Sequence, residues 1–223
     1  EAVQRDHSFE TEDVLRRALR QPIPSVPPIR HPGLRVMMFS PDGHQLITAG
    51  DDTFARIWQW PEGDLITTLE GHTGWIVDVD FNPHQEQIVT ASIDGTVRIW
   101  DAHTGAETMI LSLPINDPLN ARFWHAKFSP DGCLIVTGRA DGQVHLWDAR
   151  TGELVQTLPS HTGDVTAVAF HPSSQIVLTA GEDGVAALWR INDEESTLLI
   201  GHEGKIWAAR FSPDGRFIGT AGF

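Results

Sequence analysis

The sequence predicts an all-β fold made of repeated four-stranded antiparallel units, and three observations support this. Five phenylalanines recur along the chain, each followed nine residues later by a threonine. Four of these threonines are followed by an aspartate at four residues and by a tryptophan at ten residues. Short apolar stretches of strand length, bounded by Pro, Gly and Asp, separate these positions. Such fixed offsets do not arise from composition alone, and they indicate a repeat array.

Each repeat unit carries the same four kinds of marker residue. The phenylalanines are Phe39, Phe81, Phe128, Phe170 and Phe211. The threonine, aspartate and tryptophan of the four complete units are Thr48, Asp52 and Trp58; Thr90, Asp94 and Trp100; Thr137, Asp141 and Trp147; and Thr179, Asp183 and Trp189. A fifth unit reaches Thr220 and stops at Phe223, one residue before its aspartate. The repeat therefore predicts four complete units and half of a fifth.

Turn chemistry within a unit predicts how its strands connect. Residues 75–81 and 165–170 read as strands, and three of the turns that follow such strands have the sequence SPDG. The Pro of that turn presets its own φ and the Gly ends the turn. Asp94-Gly95 lies between two apolar runs and predicts a two-residue hairpin in which both corner residues tolerate positive φ. A further turn leads to an outer strand, so each unit is expected to be an antiparallel meander of four strands.

Paired motifs at fixed places give this repeat a resemblance to a known family. Gly71-His72 and Gly201-His202 precede first strands, and Trp100-Asp101 and Trp147-Asp148 end third strands. In these motifs the chain resembles the WD-repeat β-propellers from about residue 31 to residue 223. The resemblance implies blades at about 31–70, 71–113, 114–159, 160–200 and 201–223.

The resemblance also implies one hydrogen-bonded network per blade, formed by a histidine before the first strand and by the recurring threonine, aspartate and tryptophan. In blades two and four the histidines are His72 and His161. Blade one departs, because His31 stands eight residues before its Phe where the other units have nine. Blade three has no histidine at this place and is expected to have an incomplete network. Because the Asp–His–Thr set recurs once per blade, its predicted role is structural and not catalytic.

The first thirty residues differ from the repeats. A short helix is expected after Thr11, which can cap it, followed by a Pro-rich linker that ends near residue 30. A helix directly before the blades resembles the junction in bacterial signalling proteins that carry an upstream effector domain; the alternative is a helical cap on a free propeller. The chain starts with Glu1 and ends within a blade. It is therefore expected to be a fragment, with self-association through uncovered blade edges.

Composition argues against several classes of function. Sixteen basic and thirty acidic side chains give a formal charge of −14, which disfavours nucleic acid and anionic membranes as partners. The chain has no phosphate-binding loop, no dinucleotide fingerprint and no catalytic serine motif, so neither a cofactor nor a metal site is predicted. The single cysteine, Cys133, is expected to be a buried apolar side chain. A cytoplasmic location is expected.

Candidate binding residues are those at which the first strands of the units differ from one another. A period-two strand keeps one row for packing and frees the alternate row near its start, where Trp and Arg have the character of interface hot spots. The predicted partner-binding residues are Trp75, Arg122, Trp124, Asp164, Lys205 and Trp207. The competing interpretation is that Trp124 and Trp207 only fill space between blades.

The predicted function is that of a non-enzymatic scaffold or sensor module that binds a protein or peptide on the top face of the propeller. The alternative is a propeller-type enzyme with a hydrolytic site in the central channel. Such enzymes bring His, Asp or Glu side chains together on their inner strands. The variable row of this sequence offers only Asp164 and no histidine. The scaffold is therefore the favoured prediction.

Overall fold

The computed structural model describes residues 29–84, 87–113, 121–159, 161–193 and 196–223. Within these ranges the protein is all-β, with eighteen strands in five antiparallel sheets, which confirms the predicted class of blades. The short helix expected after Thr11 lies outside the described residues. The described part of the chain has no helix that is both long and apolar enough to cross a membrane.

The strands follow each other in chain order within every sheet. Blade one contains β1 Leu34–Phe39, β2 Gln45–Gly50, β3 Ala55–Gln59 and β4 Leu65–Leu69; blade two contains β5 Ile76–Phe81, β6 Gln87–Ser92, β7 Thr96–Asp101 and β8 Glu107–Ser112. Blade three contains β9 Phe123–Phe128, β10 Leu134–Arg139, β11 Gln143–Asp148 and β12 Leu154–Pro159. Blade four contains β13 Val165–Phe170, β14 Ile176–Gly181, β15 Ala186–Arg190 and β16 Ser196–Leu199, and blade five contains β17 Ile206–Phe211 and β18 Ile218–Gly222.

The hydrophobic core lies between consecutive blades. One cluster joins Ile47 and Ile57 of blade one to Ile76 and Trp100 of blade two, and three further clusters join the later blades in the same way. The first strands of neighbouring blades contact each other along the series β1, β5, β9, β13 and β17. Consecutive blades therefore bury the faces that they turn toward each other, as expected for a repeat array.

The hairpin at Asp94-Gly95 differs from its predicted geometry. The loop comprises the three residues 93–95, because β6 ends at Ser92 and β7 starts at Thr96. Gly95 has a φ of 86° and its N–H is directed at the carbonyl of Ser92, whereas Asp94 has no positive φ. This is a turn closed by one left-handed residue, the common three-residue hairpin loop, so only the second residue of the pair needs the freedom of glycine. The Asp94 carboxylate instead accepts the N–H of Thr96.

In blade one the left-handed position of this turn is occupied by Thr53, with a φ of 68°. A β-branched residue at positive φ is strained, and this costs about 1–3 kcal/mol. Thr53→Gly is therefore expected to increase the free energy of unfolding by about 1 kcal/mol, measured by urea denaturation. The reverse change, Gly95→Thr, is the control and is expected to lower it by a similar amount. A Thr53→Gly protein that is less stable than wild type would contradict the strain assignment.

All five first strands share an irregularity that the sequence analysis did not predict. Each has a bulge at its second position, where one residue has no partner in the pairing with the next strand. The residues that the register omits are Arg35, Val77, Trp124, Thr166 and Trp207. A bulge re-aims the side chain it carries. The same position in every blade is thus redirected out of the regular alternation of the strand.

Candidate functional site

The predicted networks of blades two and four come together in the structure. In blade two, Trp100 Nε1–H donates to Thr90 Oγ1 over 2.9 Å, and Thr90 Oγ1 lies 2.7 Å from His72 Nε2. His72 Nδ1 lies 2.8 Å from the Asp94 carboxylate.

Blade four repeats the arrangement with distances of 3.1, 3.0 and 3.0 Å between Trp189, Thr179, His161 and Asp183. Both threonines are fully buried, and the side chains of both histidines have no exposed surface.

A neutral histidine satisfies every group in this chain of hydrogen bonds. The threonine hydroxyl accepts from the indole and donates to one ring nitrogen, and the other ring N–H donates to the carboxylate. Burial lowers the pKa of His161, and the Asp183 charge offsets this only in part. Burial opposes the ionisation of Asp94, but hydrogen bonds from His72, Thr96 and Thr73 outweigh it and hold the pKa of Asp94 well below its usual range.

Two further histidines join the same kind of network, including one that the spacing argued against. His31 lies 2.8 Å from Thr48 Oγ1 and 3.0 Å from Asp52, while Trp58 donates to the same hydroxyl over 2.7 Å. In blade five, His202 Nε2 lies 2.9 Å from Thr220 Oγ1. The ring of His31 bonds Thr48 through Nδ1 and Asp52 through Nε2, the reverse of His72. The reversed ring thus lets His31 reach both partners although its spacing to Phe39 is one residue shorter than in the other blades.

In blade three, which has no histidine at this place, an arginine pairs with the aspartate. Trp147 donates to Thr137 Oγ1 over 2.9 Å as in the other blades. Asp141 pairs with the Arg139 guanidinium at 3.2 Å, and the Arg139 side chain is only 9% exposed. Nearby His145 is buried, and burial together with the Arg139 charge lowers its pKa to about 4. Arg139 therefore provides the charge that faces the aspartate, a role the sequence analysis did not assign.

His161→Ala is expected to lower the free energy of unfolding by about 1–3 kcal/mol, because Thr179 and Asp183 lose a buried partner. The matched control is His44→Ala, in an exposed turn, which is expected to cost about 0.5 kcal/mol or less. Urea denaturation at pH 7 followed by circular dichroism measures both. Equal losses for the two variants would count against the network.

A second site is formed where the bulge residues of the five first strands meet. All five line one open cleft of about 620 Å³. The remaining side chains of its lining come from blades three and four: His125, Asp164, Val165 and Glu182. Because the bulges place equivalent residues of successive blades at one level, the cleft collects five residues that are far apart in sequence and differ from blade to blade.

The six predicted partner-binding residues divide into two groups around this cleft. Trp124, Asp164 and Trp207 line it. Trp75 stands beside it, 43% exposed, with the Arg35 guanidinium 4.2 Å from its ring centre. Lys205 is exposed and pairs with Glu182 at 2.6 Å, and Arg122 is partly buried. The predicted partner-binding residues thus include three side chains of the lining. They do not include Arg35, Val77, Thr166 and Glu182, which line the same cleft.

His125, which lies outside the variable row of the first strands, also lines the cleft. The bulge at Trp124 shifts the alternation of β9 by one residue and brings the next side chain toward the cleft. His125 Nδ1 lies 3.4 Å from the Asp78 carboxylate, which the Lys127 ammonium also contacts at 2.6 Å. The Thr166 hydroxyl donates to backbone carbonyls. Neither group is therefore arranged as a base with its nucleophile.

Asp78 and Asp80 form a connection between blades two and three. The N–H groups of Ala126 and Phe128 donate to Asp78 and Asp80 over 3.2 and 2.8 Å. These amides lie on β9, an edge strand of its sheet among the described residues, so the carboxylates satisfy donors that this sheet leaves open. Burial raises the pKa of Asp80 to about 6, helped by the Asp78 charge and opposed by Lys127. Burial also opposes the ionisation of Asp78, but Lys127 and His125 outweigh it and lower its pKa.

One further prediction on side-chain chemistry can be compared with the structure. Cys133 is exposed, not buried as expected, because it lies in the turn before β10 and not within the strand. Within the described residues, no three His, Cys, Asp or Glu side chains are grouped to hold a metal ion.

Comparison with known proteins places this geometry in a family. The family model described as WD domain, G-beta repeat matches residues 30–59, 63–101, 119–148, 152–190 and 194–223. The second, fourth and fifth matches start before the outermost strand of one blade and end within the next, so these repeats span two sheets and join them.

Several curated proteins are similar to the chain over most of its length. The nuclear distribution protein PAC1 of Arthroderma otae is 30% identical over 82% of the chain and 32% of its own length. The pre-mRNA-processing factor 19 homolog 2 of Arabidopsis thaliana is 31% identical over 82% of the chain and 34% of its own length. The U4/U6 small nuclear ribonucleoprotein PRP4 of Saccharomyces cerevisiae is 36% identical over 30% of the chain. The chain thus spans about a third or less of the length of these relatives. With five matched repeats and blades of the expected topology, the chain belongs to the WD-repeat family of β-propellers.

Proposed function

We propose that residues 31–223 form a non-enzymatic interaction module that binds a segment of a partner protein across the cleft formed by the five bulge residues. The single observation that carries this proposal is that five residues at equivalent positions but of differing type line one cleft. Two of the five are tryptophans, and aromatic side chains supply much of the affinity at protein interfaces. An open cleft of about 620 Å³ suits side chains of an extended peptide.

The buried Asp–His–Thr sets support a structural role better than a catalytic one. The hydroxyls of Thr90 and Thr179 have no exposed surface and already accept an indole N–H. A substrate therefore has no access to them. The same arrangement recurs in blades one, two and four, as a repeated stabilising element requires. We infer that these sets hold the blades together while the cleft contacts the partner.

The WD-repeat family gives this proposal its general support, since proteins of this family typically act as interaction scaffolds. The relatives found are named as a nuclear distribution protein, a pre-mRNA-processing factor homolog and a small nuclear ribonucleoprotein. These names describe components of larger assemblies. We propose the same class of role here, with a partner of this chain's own that the shared family does not identify.

The proposal is tested with a displayed library of random dodecapeptides, selected on the purified chain. Trp124→Ala and Trp207→Ala are each expected to weaken the selected peptides by at least about 1 kcal/mol, roughly fivefold in Kd. Leu154→Ala is the matched control, because Leu154 is an exposed apolar residue of the outer strand β12. Circular dichroism confirms that each variant is folded. Peptides whose affinity depends on Leu154 and not on the tryptophans would place the binding surface on the outer strands.

A further inference from the structure

The walls of the cleft are aromatic and its rim carries acid groups. Trp124 of blade three and Trp207 of blade five line the cleft, and between them blade four contributes the small Thr166 at the same position. A small residue between two indoles leaves room for a ligand group. Asp164, two residues before Thr166, and Glu182 complete this part of the lining. The space between the indoles is therefore bordered by two carboxylates.

The charged groups at the cleft are neutralised unequally. Arg35 is held by Asp51 and by the ring of Trp75. Glu182 is paired with Lys205 at 2.6 Å. For Asp164, in contrast, none of the basic side chains that the structure describes lies within ion-pair distance, although Arg122 and Lys205 are near enough to act on it electrostatically.

The direction of the pKa shift of Asp164 is the one expected for a carboxylate without a paired cation. Burial and the neighbouring Glu182 charge raise the pKa of Asp164, and the Trp124 indole, Lys205 and Arg122 offset this only in part. A carboxylate in a partly desolvated position is stabilised by a cation brought close to it. Indole rings also attract cations through their electron-rich faces. Both features of the cleft therefore favour the same ligand charge.

We propose that the cleft takes a cationic side chain, arginine or lysine, of the bound peptide, with Asp164 as its counter-ion and Trp124 and Trp207 as its walls. This inference rests on the proposed function, because it names the residue type that the interaction module recognises. An acidic side chain is disfavoured by Asp164 and Glu182, and a neutral apolar side chain leaves Asp164 uncompensated. The formal charge of −14 adds a long-range attraction for basic peptides.

The experiment uses the full chain and the dodecapeptide library. Basic residues are expected to be enriched at one fixed position of the selected peptides. One selected peptide is labelled with fluorescein. Its basic residue is replaced by citrulline if it is arginine, or by norleucine if it is lysine. This replacement is expected to raise the Kd, measured by fluorescence anisotropy, at least tenfold. Citrulline retains the shape of arginine and loses only its charge, so this comparison uses the wild-type protein and does not depend on the folding of a variant.

Asp164→Asn is expected to raise the Kd of the basic peptide at least fivefold and to leave the citrulline peptide within twofold. Glu153→Gln is the matched control: it removes the same formal charge at an exposed turn before β12, and it is expected to change the Kd less than twofold. The preference of wild type for the basic peptide over its neutral form is also expected to shrink as the pH falls and Asp164 is protonated.

The outcomes separate this inference from the proposed function. Selected peptides that depend on Trp124 but show no preference for a basic residue would overturn the inference and leave the proposed function standing. Equal affinity of the citrulline and arginine peptides would likewise overturn the inference and leave the proposed function standing. A library that yields no peptide dependent on the cleft residues would overturn the proposed function, and the inference with it.

Discussion

Trp100→Ala is expected to lower the free energy of unfolding by about 3–5 kcal/mol. Trp100 is 1% exposed and packs in the cluster that joins blades one and two. Its removal opens a cavity beside Ile57 and Ile76, and it also takes from Thr90 the N–H that its hydroxyl accepts. Chemical denaturation followed by far-ultraviolet circular dichroism measures the loss.

Two variants separate the contributions of packing and hydrogen bonding at this position. Trp100→Phe keeps most of the apolar area and removes the N–H, so it is expected to cost less than the alanine change by about 1–3 kcal/mol. Trp75→Ala removes an exposed indole beside the cleft and is expected to cost about 1 kcal/mol or less, because its main contact is the stacked Arg35. If Trp75→Ala were as destabilising as Trp100→Ala, Trp75 would belong to the core and not to the binding surface.

Asp78→Ala is expected to cost about 3–5 kcal/mol, because it breaks a buried ion pair by removing one partner only. The Asp78 and Lys127 side chains are 9% and 17% exposed and lie 2.6 Å apart. The change leaves the Lys127 ammonium without its carboxylate and the N–H of Ala126 without an acceptor. The loss is expected to appear as weaker association of blades two and three, measurable by urea denaturation and by faster amide exchange in β9.

The pH dependence of this loss has a defined sign. The pKa of Asp78 is lowered below its ordinary value of 3.8 in the folded protein. Its contribution to stability is therefore present above about pH 4 and is lost as the pH falls through the folded pKa. The difference between wild type and Asp78→Ala is therefore expected to shrink as the pH falls below about 4.

Two controls test the assignment to the ion pair. Asp78→Asn with Lys127→Met removes both charges and is expected to recover much of the stability that Asp78→Ala loses. Glu62→Gln, in an exposed turn, is expected to cost about 0.5 kcal/mol or less. A double variant that is no more stable than Asp78→Ala would show that the charge pair is not the source of the effect.

The recurring Thr, Asp and Trp residues were sufficient to predict the blades, because each set is defined by local spacing within one repeat. The networks of blades two and four were implied by the family resemblance at those positions. The different contacts in blades one and three were not. Arg139 faces Asp141 where a histidine is missing, and His31 reaches Thr48 by a reversed ring. Both contacts use residues that do not recur at these places from blade to blade, so the repeat pattern does not mark them.

The sequence by itself determined the repeat, the class of fold and three of the side chains that line the cleft. Tertiary structure alone decided the rest of the cleft and the connection at Asp78. The bulges of the first strands re-aim one residue per blade, and strict alternation along a strand does not predict them. Asp78 meets Ala126, 48 residues away, only after two blades have packed. Such contacts between blades satisfy polar groups at the edges of first strands, a requirement that exists only once the blades stand side by side.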